Sequence, residues 1–241
     1  MAKPFQFRGF SVEQDAGVFK VGTDGTLLAL MVELTSDACV LEVGSGTGFV
    51  SLLLAERFPS STFDAIDINA RAAELTARNF DDSPFSERLS ATEGDFFIHS
   101  FDQKFSAIVC NPPFFKTAEK YPGGALRAAR QQWSWDFEPF FVKCQELCSA
   151  IASLHLVVPF NQYDELVGLA KSSNWFLTEA VSIKAKAAQE PNRLVLSFSK
   201  LATSTFEKRD FVIREANNSF TEQYLELAEA FFTANLRKKP D

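Results

Sequence analysis

The feature that most constrains this chain is a strand-like run, Cys39-Val40-Leu41-Glu42-Val43, that opens directly into Gly44-Ser45-Gly46-Thr47-Gly48. Glycines at alternate positions let a backbone turn sharply and pass close under a ligand. The helix expected after the turn, Thr47 to Arg57, aims its unpaired N–H groups at that space. Further strand-like runs at Thr62–Asp67, Leu89–Glu93, Phe105–Cys110 and Ala152–Val158 alternate with helix-like runs. Those helices cover Asn69 to about Phe80, Phe137–Ser149 and Gln162–Ser172. This alternation predicts an α/β fold, a mostly parallel sheet with helices on both faces. Leu177–Lys184 and Arg193–Ser199, joined across Gln189-Glu190-Pro191-Asn192, read as an antiparallel hairpin at a sheet edge. Before the first strand, residues 5–20 read as short extended pieces, and Thr23 as the cap of a helix to about Leu34. At the other end an extended piece, Phe211–Arg214, precedes a helix from Thr221 to about Asn235.

A dinucleotide site asks for G-x-G-x-x-G, whereas this turn has G-x-G-x-G with an acid, Glu42, near the end of its strand. An acidic residue and an acidic surrounding suit a nucleoside that carries a positive charge and no phosphate. S-adenosylmethionine (SAM) is such a ligand. Asp67 ends the second strand 23 residues after Gly44, where a carboxylate accepts hydrogen bonds from both ribose hydroxyls. Asp95 ends the third strand and is placed to reach an adenine amino group, with Phe96 beside it for stacking or for the core.

The fourth strand runs into Asn111-Pro112-Pro113-Phe114. An exocyclic aromatic amine is a poor nucleophile because its lone pair is delocalised into the ring. Acceptors on its two N–H groups, the Asn111 side-chain oxygen and the Pro112 carbonyl, draw that nitrogen toward tetrahedral geometry and free the lone pair. Prolines hold the acceptors with little reorganisation, and Phe114 offers a face for the base. The tetrad and the glycine turn together predict methyl transfer from SAM to a planar amino or amide nitrogen.

Composition narrows the setting. Apolar residues make up 46% of the 241, and 26 Phe are expected to serve mainly as core. The net charge is −7, and residues 42–102 hold eleven acidic side chains against four basic ones. That argues against a protein that coats nucleic acid non-specifically. Just after the tetrad, Lys116, Lys120, Arg127 and Arg130 face Glu119 alone, which makes residues 115–135 the place for a polyanion. Cys39, Cys110, Cys144 and Cys148 show no C-x-x-C spacing and read as reduced core thiols. With His99 and His155 as the whole histidine complement, no metal site is expected. No apolar run is long enough for a membrane span and no signal segment opens the chain, so the expectation is a cytoplasmic protein.

With both motifs read, the chain resembles the bacterial tRNA(Val) adenine-N6 methyltransferase family. Phe7-Arg8-Gly9-Phe10, Phe19-Lys20-Val21-Gly22-Thr23-Asp24-Gly25 and Leu41–Gly48 carry the resemblance, with Asn111–Phe114, Pro191–Phe198 and Phe211–Arg214. The resemblance implies methylation of N6 of adenine 37 in a valine tRNA. It implies the Rossmann-like class I SAM-dependent methyltransferase fold, with a seven-stranded sheet ending in an antiparallel hairpin. It also implies that Lys20, Gly22, Thr23 and Asp24 lie over the methionine end of the cofactor, and that Arg193 joins the RNA-binding set. The expected layout is one methyltransferase domain: 1–36 an extension contacting the cofactor, 37–200 the SAM-binding core, and 201–241 a closing strand and helix. Phe114 stands where this family more commonly has Tyr, keeping the stacking face without the hydroxyl. A protein glutamine N5-methyltransferase and a non-catalytic tRNA-binding scaffold are the competing readings. The short N-terminal segment leaves no room for the helical domain of the former, and the two intact motifs speak against the latter.

Overall fold

A computed structural model describes residues 3–113, 135–202 and 205–237. The chain begins with a strand pair, β1 (Phe5–Gln6) and β2 (Ser11–Val12), followed by α1 (Thr23–Met31). The motif strand β3 (Cys39–Val43) leads to α2 (Phe49–Arg57), β4 (Thr62–Asp67), α3 (Ala70–Asp81), β5 (Leu89–Glu93) and β6 (Phe105–Cys110). Beyond the tetrad come α4 (Phe137–Leu147), β7 (Cys148–Pro159), α5 (Tyr163–Ser172), β8 (Phe176–Lys186), β9 (Arg193–Ser199), β10 (Glu207–Arg214) and α6 (Glu222–Ala228).

The long strands form one sheet in the order β5-β4-β3-β6-β7-β9-β8-β10. All neighbours are parallel except at β9, which is antiparallel to both β7 and β8. The seven-stranded arrangement with its hairpin is therefore present, and β10 adds an eighth strand outside it, parallel to β8. The hairpin lies one place in from the edge, because β9 slots between β7 and β8. Strand order reverses between β3 and β6, where chains leaving toward opposite sides open a crevice beyond the strand ends.

Period-two alternation sorts the strand residues onto two cores. Val40, Ala65, Val109, Val157 and Val195 join one cluster with Leu27, Leu52 and Tyr224 of α1, α2 and α6. Their neighbours Leu41, Ile66, Cys110, Val158 and Leu196 join the other, with Phe140 of α4 and Leu166 of α5. Both faces of the middle of the sheet are covered, so β3 and β6 are apolar nearly throughout, whereas the edge strands β5 and β10 are polar and partly exposed. Cys110, Cys144 and Cys148 are buried free thiols, as expected of core cysteines. Among the described residues no His, Cys, Asp and Glu cluster could hold a metal, and no helix is long and apolar enough to cross a membrane.

The structure changes the expected ends of several elements. Gly22, not Thr23, is the N-cap of α1, and its carbonyl accepts from the backbone N–H and the hydroxyl of Thr26. The expected final helix ends at Ala228, seven residues early. Past it the backbone turns to meet the N-terminus: Arg8 N–H donates to the Phe231 carbonyl at 2.8 Å, and Phe7 pairs with Phe232. Rings of Phe5, Phe7 and Phe232 pack there at 4.9–6.0 Å. Tertiary pairing overrides the helical periodicity of that stretch.

Arg88 secures the helix that follows the motif turn. Its guanidinium donates to the carbonyls of Ala55, Phe58 and Ser61 at 2.9, 3.2 and 2.5 Å, satisfying acceptors left open where α2 ends. Arg88→Met keeps the length of the side chain and leaves three carbonyls without that donor. We expect a loss of about 1.5–3 kcal/mol, the range for hydrogen bonds to a charged group. A lower urea midpoint with an unchanged m value is the expected result, and an unchanged midpoint would remove the cap from the account.

Candidate cofactor and target site

In-register pairing of β3 with β6 places Val43 opposite Cys110. The glycine turn and the tetrad, 67 residues apart in sequence, therefore start side by side at the same edge of the sheet. Asp67 ends β4 on the far side of β3, opposite Glu93 of β5. One crevice lip thus carries, in order, Glu93, Asp67, Gly44 and Asn111.

Gly44, Gly46 and Gly48 have φ of 76°, 59° and 74°, so all three occupy the left-handed region where glycine alone is unstrained. At Gly44 a side chain would meet nothing within 4 Å, which is the signature of open space over the turn. At Gly48 a Cβ would fall 2.7 Å from Phe80 and 2.8 Å from Thr76, so close packing against α3 explains that glycine. The turn is braced from the same helix: Thr76 Oγ1 donates to the Gly46 carbonyl at 3.1 Å, and Asn79 Nδ2 to the Thr47 carbonyl at 2.8 Å.

Asp67 ties the turn to the second strand. Its Oδ2 accepts the Gly46 N–H and its Oδ1 the Asn69 N–H, both at 2.9 Å. Burial raises the Asp67 carboxyl above its usual range, and those two N–H donors oppose the rise. Two bonds leave the carboxylate with acceptor capacity for ligand hydroxyls. Asn69 caps α3, as its sequence position suggested, accepting from Arg71 and Ala72 N–H groups.

Glu42 departs from the expected role. Strand alternation turns it to the α2 side, where it is 4% exposed and its Oε2 accepts from the backbone N–H and the hydroxyl of Ser51. Burial pushes its pKa up to about 8 against those two bonds. At neutral pH this carboxyl is mainly uncharged, so it anchors the start of α2 and supplies no full negative charge to a cationic ligand. Asp95 makes a tight turn, accepting the Phe97 N–H on its side chain and the His99 N–H on its carbonyl. Phe96 is buried, 5.5 Å from both the Phe97 and Phe140 rings, and so takes the core alternative.

The N-terminal block reaches the same end of the sheet. Phe19 lies over the glycine turn, with its carbonyl 3.4 Å from where a Cβ on Gly46 would sit. Lys20 and Thr23 are exposed. Asp24, in the first turn of α1, accepts from Arg193 Nε at 2.8 Å. A residue assigned to the cofactor and one assigned to RNA are thus partners in an ion pair spanning 169 positions.

Asn111 is half-buried, Pro112 buried and Pro113 exposed. The Asn111 amide makes no hydrogen bond among the described residues, so its donor and acceptor are unspent. Phe114, Lys116, Lys120, Arg127 and Arg130 lie outside the described residues. Two apolar residues at this lip escaped the sequence reading. Ile68, directly after Asp67, is 43% exposed, and Phe160, just beyond β7, is 38% exposed with its N–H bonded to the Asn192 carbonyl at 3.2 Å. The glycine turn, its open space, the held Asp67 carboxylate and Ile68 fit a nucleoside with an apolar base and a hydroxylated sugar.

The Glu42 environment makes a pH prediction. Its folded pKa of about 8 lies above the ordinary value of 4.5, so the folded state holds an extra proton between those limits. Stability is fully present below about 4.5 and declines as pH rises toward 8. Glu42→Gln removes this dependence. The variant should gain on the wild type in urea midpoint between pH 5 and pH 9, and a constant offset would exclude the buried neutral acid.

The methyltransferase small domain family model matches residues 9–128. A tRNA1(Val) (adenine(37)-N6)-methyltransferase of a Flavobacteriaceae bacterium (strain 3519-10) is 35% identical, over 95% of this chain and 98% of its own. The protein of that name from Vibrio parahaemolyticus is 30% identical over 95% of both. Among solved structures, a predicted O-methyltransferase from Agrobacterium tumefaciens superimposes with a TM-score of 0.69 over 86% of this chain and 96% of its own, at 17% identity. A methyltransferase from Pyrococcus furiosus gives 0.58 over 81% and 91%, at 18% identity. At those identities the two structures speak for the fold, and the full-length sequence relatives for the family. The chain belongs to the tRNA1(Val) (adenine(37)-N6)-methyltransferase family.

Proposed function

We propose that this protein transfers a methyl group from SAM to the exocyclic N6 of adenine in tRNA, at adenine 37 of a valine tRNA. The observation that carries the reading is the Val43–Cys110 register, which sets an open glycine turn beside an asparagine whose amide is unspent. The tRNA and the position are those named for the full-length relatives. A tRNA substrate puts the work in the cytoplasm.

SAM supplies an activated methyl on a sulfonium. Asp67 holds the ribose hydroxyls, Gly44 leaves room for the nucleoside, Gly46 offers its N–H to Asp67, and Ile68 packs against the base. Lys20, Gly22, Thr23 and Asp24 close over the methionine end, and Asp95 reaches the adenine edge from the next strand. On the substrate side, Asn111 Oδ1 and the Pro112 carbonyl accept the two N–H groups of the target amine. Pro112 and Pro113 fix the backbone, so these acceptors need little rearrangement as charge develops. With the lone pair freed by these two acceptors, the target nitrogen would take the methyl that bound SAM would supply, the C–S bond breaking as the N–C bond forms. The methylated nitrogen then sheds one proton to water, so no strong base is needed beside it. Phe114 stacks on the flipped base, and exposed Phe160 stands one strand away to take a neighbouring one.

Asn111→Ala should lower kcat by about 100-fold or more, the scale of one preorganised polar group lost from a reacting centre. SAM affinity should stay within a few-fold. Asp67→Ala should instead weaken SAM by about 1–3 kcal/mol, for a lost buried acceptor. Label transfer to valine tRNA, with calorimetry of SAM binding, separates the two. Near wild-type turnover by Asn111→Ala would overturn the amine-polarising role.

A further inference from the structure

We infer that Lys186 and Arg214, a pair of like charges on the β8–β10 edge, bind the sugar–phosphate backbone of the RNA whose base enters at Asn111. The inference rests on the tRNA reading above and adds a contact surface to it. It starts from an apparent fault in the sheet. Lys186 and Arg214 are direct register partners on neighbouring parallel strands. Their side chains therefore point to the same face, and like charges placed opposite each other in a sheet are destabilising.

Neither charge is neutralised. Lys186 Nζ donates to the Ala216 carbonyl at 3.2 Å, and Arg214 Nη1 to the Asn218 carbonyl at 2.6 Å. The Arg214 guanidinium also lies 4.0 Å above the Phe220 ring. These are neutral acceptors that aim the two cations and leave their charge in place. Among the described residues neither has a carboxylate partner. Lys184, two positions earlier and on the same face, is committed to Asp210 at 2.6 Å. Exposed Glu190 and Glu215, in the flanking turns, form no ion pair with either cation.

The position suits an RNA strand leaving the site. β8 and β10 end at the same edge of the sheet as β6, three and four strands away. Strand spacing sets the pair roughly 14–19 Å to the side of the tetrad, and the register, which puts Asn111 level with Val181, carries it about 16 Å farther along the strands, so the separation is roughly 20–25 Å, the reach of several nucleotides. The opposite half of this edge carries Asp67, Glu93 and Asp95, so the edge is acidic where a cationic cofactor fits and basic where a polyanion would leave. Phe160 and Asn192 lie between the tetrad and the pair, giving the strand an aromatic stop on the way.

The test uses the full chain with unmodified valine tRNA. Fluorescence anisotropy across a KCl series gives Kd and its salt slope, steady-state assays give KM and kcat, and calorimetry gives SAM affinity. For K186E/R214E, Kd and KM for tRNA should rise about tenfold or more. The log–log salt slope should fall by about one to two units, at roughly 0.7–0.9 per phosphate contact. SAM affinity and kcat should stay at wild-type values. K186Q/R214Q should show a smaller change of the same sign, and its melting temperature should equal or exceed the wild type, because opposed charges are gone. Unaltered Kd and slope, or a weaker Kd with an unaltered slope, would overturn the inference. Failure of the unsubstituted protein to methylate tRNA would overturn the proposed function and this inference together. Normal methylation with unaffected variants would remove the Lys186–Arg214 contact alone.

Discussion

The parallel pairing of β3 with β6 is the contact on which the site depends. Val43 opposite Cys110 fixes where two loops emerge, and each loop has a geometry useless without the other. A slip of β3 by one residue would turn Leu41 out of one core and Val40 out of the other while Ile108 and Val109 of β6 kept their faces, exposing the mismatch to both cores. Burial on both sides of the sheet therefore holds the chemistry in register. The side-by-side placement of the glycine turn and Asn111 thus follows from hydrophobic packing of the strands that carry them.

Charge is distributed around that alignment with a division of labour. Asp67 keeps two N–H donors and stands in the lip as an acceptor. Glu42, one strand away, is stripped of water and made to serve as a neutral anchor for α2. Two carboxyls that look alike in sequence thus differ in what they present to a ligand, because one residue of strand parity separates the lip from the core. The same parity puts Arg193 on the α1 side, paired with Asp24, and Lys186 on the other.

Much of this was legible in the residues. The strand runs, the glycine turn, the Asn69 cap and the strand end that leads into Asn111–Pro113 follow from local rules of backbone and periodicity, and they appear where those rules put them. Glu42 shows the limit of motif reading. Alternation from Val43 already assigned it to the helix side, yet its charge drew it toward the ligand. Phe96 illustrates the same limit for aromatics, since a ring beside a binding loop is as apt to fill the core. Ile68 and Phe160 were invisible because period-two patterns give a face and say nothing of where a strand runs out of cover. The end of α6 was misplaced because its competitor, the strand pair at Phe7 and Arg8, lies more than 220 residues away in sequence. No local window contains that partner.

That distant closure has a temporal side. The block holding Lys20 and Asp24 is made early, but two of its supports are made late: Arg193 clasps Asp24, and Phe231 and Phe232 clasp Arg8 and Phe7. Contacts of such separation form last, after the entropy of closing nearly the whole chain has been met. A nascent chain still missing its final fifty residues has the glycine turn, and the segment over it already meets α3 through Glu13–Asn79 and Asp15–Arg71, but its two long-range clasps are absent. On the ribosome, surrounded by tRNA, the enzyme is thus assembled in an order that completes its binding face only at the end of synthesis.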